Sequence, residues 1–426
     1  MARKKGIAPA HVKRKHFVHP GHDLPMIAIL EKVEDPRRPS IFFQYPLTSI
    51  LFMTLIAVMC GATDWPKVIA ISQGLSEWLA KYVDMSAGVP CERTFKNLMN
   101  ALKPEALEQV LLELSSRIRK KSSQEVISFD GQTARGTSDR RVNLSGIHLV
   151  SAWSSENGIC LGQLKVDDKS NEITAVPELM ELLDLKGAII TGDALITQKA
   201  IAAKAIKVGG DYLLPVKGNH PALLKDIELA FEGLMRDQEL ARSHWERAVA
   251  KAREQRDEAK LKGLLTKGVS SCGAHYWQEE PEKSHGRIET RKCLAIPVGT
   301  MPSATEWQGL ATLVRMDRER ILGDRVTNET TYYISSLGAK MVALIGEAAR
   351  DHWGVENGLH WRLDVVFRQD KSRYRDRVGA RNLAAIRKIV LNALSKETSF
   401  KGGMATKQCV AAVNPTYRDK LVKNLF

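Results

Sequence analysis

The chain has 426 residues, 44% hydrophobic and 26% charged, enough length and apolar content for more than one packed domain, which excludes pervasive disorder and a disulfide-built scaffold. Lys and Arg number 63 against 49 Asp and Glu, and the resulting +14 favours a polyanionic partner, either nucleic acid or an anionic membrane surface. Six cysteines (Cys60, Cys91, Cys160, Cys272, Cys293, Cys409) form no C-x-x-C pair, so neither zinc nor a redox motif is suggested and a reduced, cytoplasmic compartment is expected.

Residues 1–40 carry nine Lys or Arg against four acids and are broken by five prolines, which reads as an irregular basic arm and not as an export signal. Its histidines, His11, His16, His19 and His22, fit either a metal site or, better, a solvated leader. Tyr45 to Thr63 is uncharged and near spanning length, but proline, threonine, serine and glycine dilute it, so a buried helix is expected and no membrane partner. From residue 41 to 121 the pattern is helical: Leu47 to Met59, Pro66 to Tyr82, Glu92 to Leu102 and Pro104 to Arg119. With Arg117, Arg119, Lys120 and Lys121 at its end, this segment fits a DNA-binding helical module and a helical cap equally well.

The period then changes to that of strands. Glu125 to Phe129, Gly146 to Trp153 and Cys160 to Val166, the last two joined by the hairpin turn Glu156-Asn157-Gly158, predict an antiparallel meander. A helix at Ala175 to Leu185, a strand at Gly187 to Thr191, a helix at Gln198 to Val208 and a strand at Tyr212 to Val216 complete a β-β-β-α-β-α-β order over 122–221. Residues 222–337 read as an insertion, first a charged helical stretch and then strands at Arg291 to Pro297, Leu310 to Met316 and Thr331 to Ser335; 338–426 is helical.

Two acids end apolar strands beside glycine, Asp130 and Asp193, at the kind of position where α/β sheets present ligands, although a turn or helix cap is the commoner use of an isolated acid there. In Arg350 to Asp364, Val355, Leu359 and Leu363 form an apolar stripe while His352, Glu356, His360 and Asp364 recur every four residues on another face. A zinc site on that helix is the weaker alternative, since its histidines bracket Glu356 eight apart and not four.

With these stretches in view the chain resembles DDE transposases of bacterial insertion sequences, in the branch of H-repeat-associated proteins. The likeness rests on SFDGQTARG (128–136), TGDALITQKA (191–200), GGDYLLPVKGNHPALLKDI (209–227), HGRIETR (285–291), RDHWGVENGLHWRLDVVFRQD (350–370) and GVPCERTFKNLMNALKPEAL (88–107). The resemblance implies an RNase H-like α/β core, a mixed five-stranded sheet with helices, interrupted by the insertion and preceded by an all-helical domain. It also implies a catalytic triad at Asp130, Asp193 and Glu356 that ligates two Mg²⁺ ions, with Mn²⁺ able to substitute. The partners would be transposon-end and target DNA, with a homodimer at paired ends and a nucleoid-associated location. The activity implied is nicking at the element's ends and transfer of the freed 3′-hydroxyl. Gln132 departs from the family's usual lysine and Gln369 from its usual glutamate, and Glu356 is followed seven residues on by Leu363, without the tyrosine-arginine-glutamate-lysine spacing of other relatives.

Charge and position nominate DNA-contacting residues: Lys217, Asn219 and His220 after a strand; His285, Arg287 and Arg291 in the insertion; His352 and His360 beside the glutamate; and Arg368, Lys371, Arg373 and Arg375 in a basic run reaching Lys388. Each has a bland reading as a solvated turn or face, and Trp277 and Trp307 are expected in the core. A catalytically silent DNA-binding descendant and a non-specific nuclease are the other functional readings.

Overall fold

The computed structural model describes residues 17–38, 44–166, 172–284 and 287–423. Helices α1 (Pro25–Glu31), α2 (Leu47–Met59), α3 (Trp65–Gly74), α4 (Ser76–Leu79), α5 (Glu92–Ala101) and α6 (Pro104–Ile118) precede strands β1 (Val126–Ala134), β2 (Ile147–Ser154) and β3 (Ile159–Val166). Then come α7 (Glu172–Glu181), β4 (Ile189–Gly192), α8 (Lys199–Lys207), β5 (Asp211–Val216), α9 (Pro221–Glu254) and α10 (Glu258–Lys267). Strands β6 (His275–Gln278), β7 (Glu282–Ser284), β8 (Arg287–Pro297), β9 (Thr312–Leu322) and β10 (Arg325–Ser335) lead to α11 (Val342–Asp351), α12 (Arg377–Lys396), α13 (Met404–Val413) and α14 (Pro415–Lys423). The predicted elements are nearly all present. Helix α7 begins earlier than expected, which puts Pro177 inside it.

The chain divides into two compact units, and β1 is shared between them, changing unit after Asp130. One unit holds residues 1–121, 131–171 and 355–426; the other holds 122–130 and 172–354.

In the first unit the helical segments from both ends of the chain bury one core. Every residue of α2 is buried, because an uncharged, apolar helix has no face to give to water. Among the described residues no helix is long and apolar enough to cross a membrane. Part of the segment read as an irregular arm is in fact α1, whose Met26, Ile27, Ile29 and Leu30 join the same core; residues 1–16, with His11 and His16, lie outside the described residues. His19 is buried, and its Nδ1 accepts from Asp84 N at 3.1 Å, as a structural and not a metal-binding histidine does. Helix α12 is the centre of this unit. Its Asn392 bonds both backbone groups of Cys160 in β3 (2.8 and 2.7 Å), and its Asn382 takes the carbonyls of Met99 and Leu102 at the end of α5 (2.8 Å each). Strands β2 and β3 form the expected antiparallel hairpin, turning at Gly158 in the left-handed region (φ 64°).

The second unit is built on a mixed sheet in the order β1-β4-β5-β10-β9-β8-β6, with β7 on β8. Strands β1, β4 and β5 are parallel and the remainder antiparallel. The sheet has more strands than the five expected. Ser335 of β10 pairs with Leu213 of β5, so the strands of 275–335 extend the sheet. The reason is elementary: the outer edge of β5 presents unpaired backbone groups, and a long neighbouring strand satisfies them. Helix α11 covers one face, packing Ile345, Ala348 and Ala349 against Val126, Ile189, Leu213, Val314 and Met316.

Candidate active site

Strands β1 and β4 pair in parallel with Phe129 opposite Gly192, so the pairing ends just before Asp130 and Asp193. Asp193 lies just past the end of β4, but Asp130, expected at a strand end, is inside β1, which runs on to Ala134; with neighbouring strands about 4.8 Å apart, the two acids are brought side by side. The local sequence holds Asp193 firmly. Its Oδ1 accepts from Leu195 N (2.9 Å) and Ile196 N (3.2 Å), which orients the carboxylate and leaves Oδ2 for a ligand. Gly192 is required here, since a Cβ would fall 1.7 Å from the Ile196 side chain that folds back over the turn.

Lys217, Asn219 and His220 follow β5 at the same end of the parallel strands. Asn219 Nδ2 donates to Ala194 O at 2.6 Å, and the His220 ring lies 2.6 Å from Thr197 O and edge-on to Trp307. Both side chains thus brace the loop carrying Asp193, while Lys217 is exposed. Trp307 is buried and Trp277 packs on α11, as core residues do.

His352 is the second-unit residue that the sequence placed on the glutamate's face. Its Nδ1 stands 3.3 Å from Thr191 Oγ1, which is 3.0 Å from Ser128 Oγ, a polar thread across β4 and β1 directly behind the two acids. Burial pushes the imidazole down to about 4, with Lys217 adding to this and the Asp193 charge opposing it, so the ring is neutral at pH 7. Because the folded pKa lies below the ordinary 6.5, the unfolded chain takes up a proton first as pH falls from 6.5 to 4. Stability is therefore lost across that window by up to about 1.4 kcal/mol per unit and is untouched above it. His352→Gln is expected to remove this share of the slope in urea midpoints measured between pH 7 and 4; parallel curves for variant and wild type would refute it.

Glu356 belongs to the first unit and is exposed. The helix expected over 350–364 is not regular: after α11 it passes through turns at His352 and Trp353 and then winds as π-helix over Glu356–His360 and Arg362–Val366. Trp361 N bonds Glu356 O and Phe367 N bonds Arg362 O, each five residues back. The apolar stripe survives, with Val355, Leu359 and Leu363 fully buried. The wider winding breaks the four-residue polar spacing. Asp364 turns inward, accepting from Gln132 Nε2 at 2.9 Å, and burial together with the Asp370 charge pushes its carboxyl up. Gln132 is thus engaged with the glutamate's own helix.

Gly358 in this helix admits Trp153 of β2. A Cβ at 358 would sit 2.4 Å from the buried indole, so Gly358→Ala is expected to cost about 1–3 kcal/mol through overpacking. An unshifted melting temperature would show that the helix can ride away from the strand.

The other nominated cations divide sharply. Arg291 is taken up by Glu279 (2.6 Å) and Glu289 (2.7 Å), and Arg287 lies 3.7 Å from Glu289. Glu289 is buried, which pushes its carboxyl up, but the Arg318 hydrogen bond and the Arg291 charge prevail and hold it low. His285 lies outside the described residues. Arg375 pairs with Asp139 at 2.8 Å, Arg381 with Glu108, and Arg387 and Lys388 are buried, so the basic run is not one continuous surface. Arg368, Lys371 and Arg373 have no partner among the described residues. Lys371, Arg373 and Arg375, with Arg135 and Arg141, which the sequence reading missed, line an open cleft of about 660 Å³. Among the described residues no three His, Cys, Asp or Glu side chains are gathered as a metal site.

Asp130 within β1 and Asp193 just past β4 put two carboxylates side by side on paired strands of a mixed α/β sheet. Residues 121–393 match the family described as "Transposase DDE domain", and 27–114 match "DDE_Tnp_1-associated". The chain belongs to the transposase DDE domain family. It is 35% identical over 390 residues to "Putative transposase YncI" of Escherichia coli O157:H7, covering 89% of this chain and 90% of that one. It is 34% identical over 382 residues to "H repeat-associated putative transposase YhhI" of Escherichia coli K12, covering 88% and 91%. A solved structure, "Cryo-EM structure of piggyBac transposase synaptic complex with hairpin DNA (SNHP)", aligns with 94% of this chain and 78% of that one at 10% identity, with a TM-score of 0.38.

Proposed function

We propose that the chain is a DNA transposase whose Asp130, Asp193 and Glu356 ligate divalent metal on an RNase H-like core, and that it nicks the ends of its element and joins the freed 3′-hydroxyl to target DNA. The observation that carries this is the pairing of β1 with β4, which brings two carboxylates separated by 63 residues side by side inside the matched family domain. Glu356 follows neutral His352 by four residues.

Carboxylates are hard oxygen donors suited to Mg²⁺ or Mn²⁺, and a pair of such ions would stabilise charge on both the attacking and the leaving oxygen of a phosphodiester. The chain's own residues do the rest. Two backbone N–H groups aim Asp193, Asn219 and His220 hold its loop, and His352 is kept neutral by burial. Lys217, Arg368, Lys371 and Arg373 are open to DNA phosphates, which makes binding fall with salt. Arg287 and Arg291, already paired with acids, organise the β8 surface first. A homodimer at paired ends and a cytoplasmic, nucleoid-associated location complete the reading.

The test is cleavage of linear DNA carrying the inverted repeats that flank the coding sequence, with Mg²⁺ or EDTA. Nicks at the repeat ends that require metal are expected. Equal cutting of DNA without repeats would identify a non-specific nuclease, and binding without any cutting a silent descendant.

A further inference from the structure

One cavity lies wholly within the first unit and has a volume of about 460 Å³, in the range of small-molecule sites. Trp65, Val68, Tyr374 and Leu383 give it an apolar wall, and Arg387 of α12 lines it although only 5% exposed. Among the described residues the Arg387 guanidinium has neither a hydrogen-bond nor an ion-pair partner. Burial brings its pKa down to about 10, so it remains a cation at pH 7. A buried charge without a counter-ion is costly and calls for one.

Two acids also line the cavity, but each is already engaged: Asp64 caps α3 and pairs with Lys67 at 3.1 Å, and Glu92 pairs with Lys96 at 2.5 Å. The remaining wall is the 368–373 segment, with Arg368, Lys371 and Arg373. The cavity therefore offers four cations without a partner among the described residues, beside an aromatic and aliphatic surface. A carboxylate would satisfy Arg387 and leave the others; a phosphate, with up to two charges and three free oxygens, uses more of them.

We propose that this cavity binds a phosphate ester, its phosphate on Arg387 and its organic part against Trp65, Tyr374 and Leu383. The ester is a free, nucleotide-sized phosphate monoester, because a DNA phosphodiester carries one charge and two free oxygens and would leave the cations as a carboxylate does. Arg368, Lys371 and Arg373 are shared with the proposed DNA surface, but Arg387 and the apolar wall are not, so variants at Arg387 and Leu383 test this site separately from the cleavage reading.

The experiment uses the full chain without divalent metal, titrated by calorimetry with inorganic phosphate, thymidine 5′-monophosphate, thymidine and a 20-base-pair duplex. Arg387→Met keeps the aliphatic stem and removes the charge; Leu383→Trp fills the cavity and leaves every charge. Relief of an unpaired buried cation should leave Arg387→Met at least as resistant to urea as wild type, so its readout does not depend on misfolding. Thymidine 5′-monophosphate is expected to bind at least tenfold more tightly than inorganic phosphate or thymidine, and each variant to lose at least tenfold. Loss confined to the mononucleotide supports a free ester; loss confined to the duplex in both variants would make the cavity part of the DNA surface and overturn the proposal. Equal binding of all ligands by wild type and Arg387→Met, the sign of an adventitious ion only, or no response in either arm, overturns the proposal.

Discussion

Asp193→Asn is expected to lower metal-dependent nicking at least about 10³-fold, about 4 kcal/mol of barrier, while DNA binding holds or tightens. Asparagine is the informative replacement because its Oδ1 still accepts from Leu195 N and Ile196 N, so the loop keeps its shape and only the negative charge is lost. Asp130→Asn on the neighbouring strand and Glu356→Gln on the helix should behave alike, and the three losses should not add, since removing any one ligand already disables the site. Binding measured on the same end-bearing DNA controls for folding, and loss of an anion next to phosphates favours association if it changes it at all. Nicking at the wild-type rate by Asp193→Asn would remove the residue from the metal site and leave its carboxylate as a turn-former.

The largest stability effect is expected at Glu108, inside the first unit. Its carboxylate is 4% exposed and receives Arg381 Nε at 2.7 Å and Nη2 at 2.6 Å, with Gln163 Nε2 at 3.2 Å. Gln163 in turn accepts from Lys388 Nζ at 2.8 Å, so Glu108 is the buried acid of α6 that faces both cations of α12, with the exposed Glu105 also 2.9 Å from Arg381. Burial pushes the Lys388 amine down, and the Glu108 charge resists it. Glu108→Gln leaves Arg381 only the exposed Glu105 and removes the acid that reaches Lys388 through Gln163, and should cost about 3–5 kcal/mol, read as a lower urea midpoint at unchanged m-value. The pair Glu108→Leu with Arg381→Met should recover most of that loss, because a buried ion pair replaced whole by apolar groups is often neutral. A loss under about 1 kcal/mol in Glu108→Gln would mean that water reaches the pair.

Much of this was legible in the residues. Local pattern determined the elements: β-branched runs for β1 and β4, the Glu156-Asn157-Gly158 turn of the hairpin, and an apolar stripe at Val355, Leu359 and Leu363. The same pattern put Asp193 at a strand end, whereas β1 runs on through Asp130 to Ala134, and motifs spread in order along the chain pointed to the family. These features depend on neighbours within a few residues, where backbone geometry and hydrophobic period act directly.

Only the tertiary structure decided the rest, because it depends on partners far away in sequence. A basic run such as Arg368 to Lys388 looks uniform on paper, yet Arg375 is claimed by Asp139 and Arg381 by Glu108, while Arg387 is turned into a cavity and three neighbours stay open. Arg291 reads as a DNA contact until Glu279 and Glu289 appear beside it. The extension of the sheet by β8, β9 and β10 follows from an edge needing partners, and no local spacing encodes which distant strand supplies them. The π-winding after Val355 likewise turns Asp364 inward to Gln132, 232 residues earlier in the chain, a pairing that local periodicity has no means to express.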